Sequence, residues 1–143
     1  IWMRGVEVQM SATQLATYVF ILHQTYCTHH GGLVKAGQHY PLSEKDVQRL
    51  GNTYHAICNL FRETPIAEAR SYLEDVQNIR GYIARIRTAI AHHIDDQDVN
   101  FYTPQDTTDK SRYYIAIEST KIFMHTASGD MMFVDYPLWK TLK

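Results

Sequence analysis

Residues 79–94 read IRGYIARIRTAIAHHI, and their apolar pattern decides the expected fold class. The isoleucines recur every three or four residues, which is typical of an α-helix with one buried face. These isoleucines are Ile79, Ile83, Ile86, Ile90 and Ile94. The same spacing begins at Ile66 and ends in the polar stretch from Asp95. It predicts one helix of about thirty residues, or two helices joined near 78–81, where Gly81 weakens the middle.

Two earlier segments predict helices that precede this one. Ser11 and Gln14 match a capping box, and apolar residues then recur at helical spacing until Gly31-Gly32. A second helix is expected to begin at Ser43, because the acidic residues after this serine suit the positive end of a helix. It should end before Thr64-Pro65, where the next helix is predicted to start.

The apolar period changes in the last third of the chain. From Ser111 onward apolar residues alternate, and two apolar runs flank the turn-like residues 127–130. This pattern predicts a β-hairpin or meander, and residues 97–110 are the only plausible linker. The sequence therefore predicts a mainly α protein: a single helical-bundle domain over residues 1–143, with residues 111–136 as a short C-terminal β appendage.

The composition is that of an ordinary globular domain. Hydrophobic residues make up 45% of the 143 residues and charged residues 20%, which argues against disorder. The formal net charge is −1, so any contact with nucleic acid needs a local basic patch. No apolar run approaches the ~18–20 residues of a membrane span, and no signal peptide is expected. Cys27 and Cys58 fall in helical patterns, which predicts buried free thiols rather than a disulfide and a protein of the reducing cytoplasm.

The candidate chemistry lies on the side of the third helix opposite the isoleucines. A helical wheel places four polar side chains together there: Arg85, Thr88, His92 and Asp96. Arg87 and His93 flank the apolar face, one on each edge. Arginine is a permanent cation whose fork matches a phosphate, and histidine can give or take a proton near neutral pH. With the 2′-hydroxyl of RNA, these groups suffice to cleave a strand without a metal; the alternative is a solvated helix surface.

The spacing of these residues resembles the motif of the HEPN superfamily. That motif is an Arg, four to six arbitrary residues and then a His, on a late helix of a helical bundle. Arg87-Thr-Ala-Ile-Ala-His92 fits it, and the pairs Arg85 with His92 and Arg87 with His93 also have permitted spacings. Thr88 stands where Asn, Asp or His is common in the family. Many members are ribonucleases of toxin–antitoxin, abortive-infection and CRISPR-associated systems.

The resemblance implies a metal-independent endoribonuclease that acts as a homodimer, with a composite site across a two-fold axis. In that reading, His92 is the general base for the 2′-hydroxyl or the acid for the leaving 5′-oxygen, and Arg87 binds the scissile phosphate. Arg85, Thr88, His93 and Asp96 would contact the RNA substrate. An antitoxin or another regulatory protein is a possible further partner. The wheel separates Arg87 from His92 by roughly 140°, so Arg85 competes for the role of Arg87.

A metal site and a catalytically silent module are the alternatives. The histidines His29-His30, His55 and His92-His93 lie on different helices, without the His-x₃-His or Glu-x-x-His spacing typical of metal ligands. We therefore predict no metal and no cofactor. The silent module would use the polar face of the third helix only to dimerise or to bind a protein partner. The C-terminal strands could also bind a partner by strand addition.

Overall fold

The computed structural model describes residues 1–3, 5–36, 41–62, 72–95 and 97–142. Within these ranges the helices are α1 (Ala12–Tyr26), α2 (Glu44–Leu60), α3 (Tyr72–His93), α4 (Val99–Tyr102) and α5 (Leu138–Thr141). The strands are β1 (Trp2–Met3), β2 (Val6–Glu7), β3 (Leu33–Val34), β4 (Gln105–Asp106), β5 (Arg112–Tyr114), β6 (Phe123–Thr126) and β7 (Gly129–Met132). Short 3₁₀ turns occupy Ser119–Lys121 and Phe133–Asp135.

The first two helices begin where the sequence predicts. The Ser11 hydroxyl accepts a hydrogen bond from the backbone N–H of Gln14, and the Gln14 side chain accepts one from the backbone N–H of Ser11, both over 3.2 Å. Ser43 caps α2 by accepting from the backbone N–H of Asp46, also over 3.2 Å. These contacts satisfy backbone donors that the start of a helix leaves unpaired. The predicted caps are therefore confirmed.

The third helix is continuous over its described length, Tyr72–His93. It runs through Gly81 without a break, so the prediction of two helices joined near that residue is wrong. Its isoleucine face is buried as predicted, and Ile86 and Ile90 are 0% exposed. The predicted beginning of this helix, at residues 64–66, lies outside the described residues.

The prediction of a helical bundle is wrong, because the chain folds as a mixed α+β protein. Of the described residues, 53% are helical and 15% lie in strands. These strands form small antiparallel sheets in the orders β1–β2, β3–β5–β4 and β6–β7. The strands outside the predicted β element, β1 to β4, are each two residues long, which is too short for an alternating apolar pattern to reveal them in the sequence.

The three-stranded sheet joins parts of the chain that are far apart in sequence. Its central strand β5, expected within a C-terminal β element, pairs with β3 through Tyr113 and Leu33 and with β4 through Tyr113 and Asp106. β3 lies between α1 and α2, and β4 and α4 lie within residues 97–110, the expected linker. The predicted hairpin is present as β6–β7. The strands of the last third are thus divided between this hairpin and a sheet that contacts α1.

The core lies around α1, which packs against α2, α3 and the C-terminal segment. Phe20 of α1 packs on Tyr54 of α2, with 5.0 Å between ring centroids, and meets Tyr72 of α3 edge-on at 6.1 Å. Trp139 of α5 lies against His23 of α1, with 4.9 Å between ring centroids. α3 is therefore fixed on its inner side, and its outer side remains accessible. None of the helices in the described ranges is long and apolar enough to cross a membrane.

Candidate functional site

The accessible face of α3 is the first part of the candidate site. Arg85, Thr88 and His92 are exposed, as the helical wheel predicts. Arg85 and Thr88 line a shallow depression of about 350 Å³ between α3 and α1, which Gln14 of α1 also lines. The Thr88 hydroxyl donates to the carbonyl oxygen of Ala84 over 3.1 Å, so its oxygen can still accept a hydrogen bond from a ligand. A guanidinium, a hydroxyl and an amide therefore line one depression.

The two histidines at the end of α3 contact each other. The ring centroids of His92 and His93 are 5.0 Å apart, and the ring planes are inclined at 80°. His92 is exposed, whereas His93 is half-buried. Asp95 follows them on the surface, and the predicted site residue Asp96 lies outside the described residues. The helix therefore ends in one accessible imidazole that rests on a second imidazole.

Arg87 faces the three-stranded sheet. Its Nε donates a hydrogen bond to the backbone carbonyl oxygen of Pro104 over 2.9 Å. Its Nη2 lies 3.9 Å from a carboxylate oxygen of Asp106, and its guanidinium carbon lies 5.9 Å from the centre of the Tyr113 ring. The side chain of Arg87 is 41% exposed, so part of the guanidinium remains in solvent. Arg87 thus links α3 to the sheet, and part of its guanidinium remains accessible to solvent.

Asp106 is the centre of a charge cluster that the sequence does not reveal. Its carboxylate lies 2.7 Å from the Lys35 ammonium, in addition to its contact with Arg87. The hydrogen bond from Lys35 and the charges of both cations hold the pKa of Asp106 below its usual range. Lys35 also lies over the Tyr113 ring, 4.6 Å from its centre. These residues come from separate segments that meet only through strand pairing, so no local sequence signal could have identified the cluster.

The structure divides the predicted site residues into two sets. It brings Arg85 and Thr88 to one depression and places His92 against His93 on the same accessible side of the helix. It turns Arg87 to the sheet instead. Of the two arginines, Arg85 is therefore the one that shares the exposed face with His92.

Potential metal ligands do not cluster in the described part of the chain, where no group of three or more His, Cys, Asp and Glu side chains could hold a metal ion. Cys27 and Cys58 are not joined by a disulfide. Burial raises the pKa of the Cys27 thiol to about 11. This thiol therefore stays protonated at neutral pH and is a poor nucleophile.

Comparison of the chain with protein-family models, with curated proteins and with solved structures gives no match. The resemblance to the HEPN superfamily thus depends on the spacing of Arg87 and His92 alone, because the helical bundle expected around them is not present in the described residues. The described site consists of an exposed arginine, an exposed threonine and an exposed histidine on the accessible face of α3.

Proposed function

We propose that the protein is a metal-independent endoribonuclease of toxin or defence type, acting in the reducing cytoplasm as a homodimer. The observation that carries this proposal is the exposure of His92 on the same face of α3 as Arg85 and Thr88. Cleavage of RNA needs a proton-transfer group beside a phosphate ligand, and this face supplies both kinds of side chain. The face is also accessible enough to meet the same face of a second copy.

The chemistry follows from these groups. His92 takes the proton of a 2′-hydroxyl, and that oxygen attacks the adjacent phosphorus atom. The bond from phosphorus to the 5′-oxygen breaks, and the leaving oxygen takes a proton from the His92 of the second copy. The products are a 2′,3′-cyclic phosphate and a 5′-hydroxyl. A guanidinium held against the phosphate oxygens stabilises the negative charge that grows in the transition state.

The contacts of the two arginines support different roles for them. Arg87 donates to Pro104 and lies beside Asp106, so binding a phosphate would require it to share its guanidinium with these acceptors. Arg85 lies in the accessible depression beside Thr88. We therefore propose Arg85 as the main phosphate ligand and Arg87 as the residue that positions α3 against the sheet. Arg87 as the phosphate ligand, which the family spacing implies, remains the competing prediction.

The test is cleavage of a single-stranded RNA in the presence of EDTA. The wild type should cleave and leave 2′,3′-cyclic phosphate ends, and His92→Ala should lower the rate about a hundredfold or more, because general acid–base catalysis contributes this much. His29→Ala is the matched control, since His29 is exposed as His92 is but lies outside the candidate site. Loss of activity in EDTA, or unchanged cleavage by His92→Ala, would show the proposal to be wrong.

One observation favours a second candidate, a non-catalytic interaction module. The cluster of Arg87, Asp106 and Lys35 gives the motif arginine structural partners that account for it without catalysis. The exposed face of α3 would then bind a second copy or a regulatory protein, as an antitoxin does for a toxin. In that case Arg85→Ala and His92→Ala would weaken association in sedimentation experiments. Neither the wild type nor these variants would cleave RNA.

A further inference from the structure

A second cleft opens where β1, α1, α4 and the start of β6 meet. It has a volume of about 190 Å³ and shares no lining residue with the depression beside Arg85. Tyr18 and Leu22 of α1 and Met3 of β1 are its buried apolar residues. Its remaining lining includes large exposed side chains, so this cleft is open to solvent on one side.

Two aromatic side chains at this cleft are unusually exposed. Trp2 is 63% exposed and Phe123 is 57% exposed, although apolar residues lie next to both of them. They come from opposite ends of the chain, and their backbones are held by strand pairing, Trp2 with Glu7 and Phe123 with Met132. Exposure of two large aromatic rings around one cleft leaves apolar area in water that a ligand could cover.

The charge and size of the cleft narrow the class of ligand. Lys121 lines the cleft and is exposed, and no Asp or Glu is among the described residues that line it. Pockets for drug-sized ligands measure roughly 300–1,000 Å³, so this cleft has room for a single ring system. Aromatic faces stack on flat rings, and a lysine attracts phosphate. A base with its backbone phosphate combines both features.

We propose that this cleft binds one base of a single-stranded RNA, which stacks on Trp2 and Phe123 while Lys121 contacts the neighbouring phosphate. The inference rests on the proposed ribonuclease function, because it names a second place, apart from His92, at which the protein binds the substrate strand. The short helix α4 follows α3 in the chain and contacts it. Tyr102 of α4 lines the cleft, and its carbonyl oxygen accepts a hydrogen bond from the Tyr18 hydroxyl over 2.7 Å.

The experiment uses Trp2 as its own reporter. The chain has two tryptophans, and Trp139→Phe leaves Trp2 as the only one. Titration of this variant with a 2′-O-methyl RNA oligonucleotide, which lacks the attacking hydroxyl, should quench its fluorescence. Phe123→Ala or Lys121→Ala should then weaken binding of the oligonucleotide about fivefold or more. Lys121→Ala should also make the binding affinity less dependent on salt concentration. If Trp139→Phe does not fold, ¹⁹F NMR of the fluorotryptophan-labelled wild type replaces it, and only the Trp2 signal should shift.

Matched control variants show whether binding depends on the residues of the cleft or on any exposed aromatic or basic residue. Phe101 is 54% exposed and Lys140 is exposed, but neither lines the cleft. Phe101→Ala and Lys140→Ala should leave binding unchanged. Equal weakening by these controls, or a response of Trp2 to a mononucleotide but not to the oligonucleotide, would overturn the proposal.

The same variants distinguish failure of this inference from failure of the proposed function. If His92→Ala binds the oligonucleotide as the wild type does and the wild type cleaves no RNA, the base site stands and the nuclease proposal falls. If the wild type cleaves RNA while the Trp2 signal and Phe123→Ala show no effect, the nuclease proposal stands and the base site is wrong.

Discussion

Arg87 in α3 donates a hydrogen bond from Nε to the backbone carbonyl oxygen of Pro104, with 2.9 Å between the two atoms. This bond joins the helix to the segment that enters β4. Asp106, at the end of that strand, adds contacts with both Arg87 and Lys35. The arginine that completes the motif spacing is thus also a structural link between the helix and the sheet.

This arrangement predicts that substitution of Arg87 mainly affects stability, whereas substitution of Arg85 mainly affects cleavage. Arg87→Ala should lower the free energy of unfolding by about 1–2 kcal/mol, because a charge-assisted hydrogen bond to Pro104 is lost. Arg85→Ala should change it by less than about 0.5 kcal/mol, since Arg85 is exposed, but should lower RNA cleavage about a hundredfold. Urea denaturation and the RNA assay measure the two effects. Loss of cleavage by Arg87→Ala with full stability would instead identify Arg87 as the phosphate ligand.

His23 should make the fold sensitive to mild acid. Burial, and secondly the charge of Arg49, lower the pKa of His23 from 6.5 to about 4. As the pH falls, the unfolded state binds the proton before the folded state does. His23 therefore does not lower the free energy of unfolding well above pH 6.5, and it lowers this free energy increasingly as the pH drops from 6.5 toward 4. The loss should reach up to about 3 kcal/mol. His23→Gln should flatten the dependence of unfolding free energy on pH in this range, whereas His29→Gln, at an exposed position, should not; equal slopes in all three proteins would contradict the prediction.

Two adjacent glycines provide a test of the sheet between β3 and β5. A Cβ atom on Gly32 would collide with the backbone carbonyl oxygen of Tyr113, whereas one on Gly31 would meet nothing within 4 Å. Both residues have positive φ, 153° at Gly32 and 70° at Gly31. Gly32→Ala should therefore lower the unfolding free energy by about 2–3 kcal/mol, and Gly31→Ala by about 1 kcal/mol from backbone strain alone. Similar losses in denaturation experiments would mean that β3 and β5 do not approach this closely.

Two positions on α3 test which side of the helix is inside. Ile90 is 0% exposed, and Leu73 is 57% exposed. Ile90→Ala should lower the unfolding free energy by about 2–5 kcal/mol, because it leaves a cavity in the core. Leu73→Ala should cost less than about 1 kcal/mol, since little buried surface is lost. Comparable losses in the two variants would contradict the orientation of the helix.

The helical part of the fold could be predicted because its signals are local. The capping box of Ser11 and Gln14 involves residues within one turn, and Ile86 and Ile90 lie one turn apart on the same face. The exposure of His92 follows from the same periodicity. These features need no knowledge of distant parts of the chain, and the structure agrees with each of them.

The candidate site could be predicted only in part. The wheel places Arg85 and His92 on one face, and both are exposed in the structure. The direction of Arg87 could not be foreseen, because its acceptors belong to Pro104 and Asp106, beyond the end of the helix. The cleft beside Trp2 could not be foreseen either, since the residues that line it come from distant segments.

The sequence alone therefore determined where α1 and α2 begin and which face of α3 is buried, because helix hydrogen bonds and side-chain spacing are set within a few residues. Only the tertiary structure decided that residues 112–114 pair with residues 33–34 and 105–106, which makes the protein α+β and draws Arg87 to the sheet. Strand pairing connects residues at arbitrary separation, and two-residue strands such as β3 and β4 have no periodic pattern of their own.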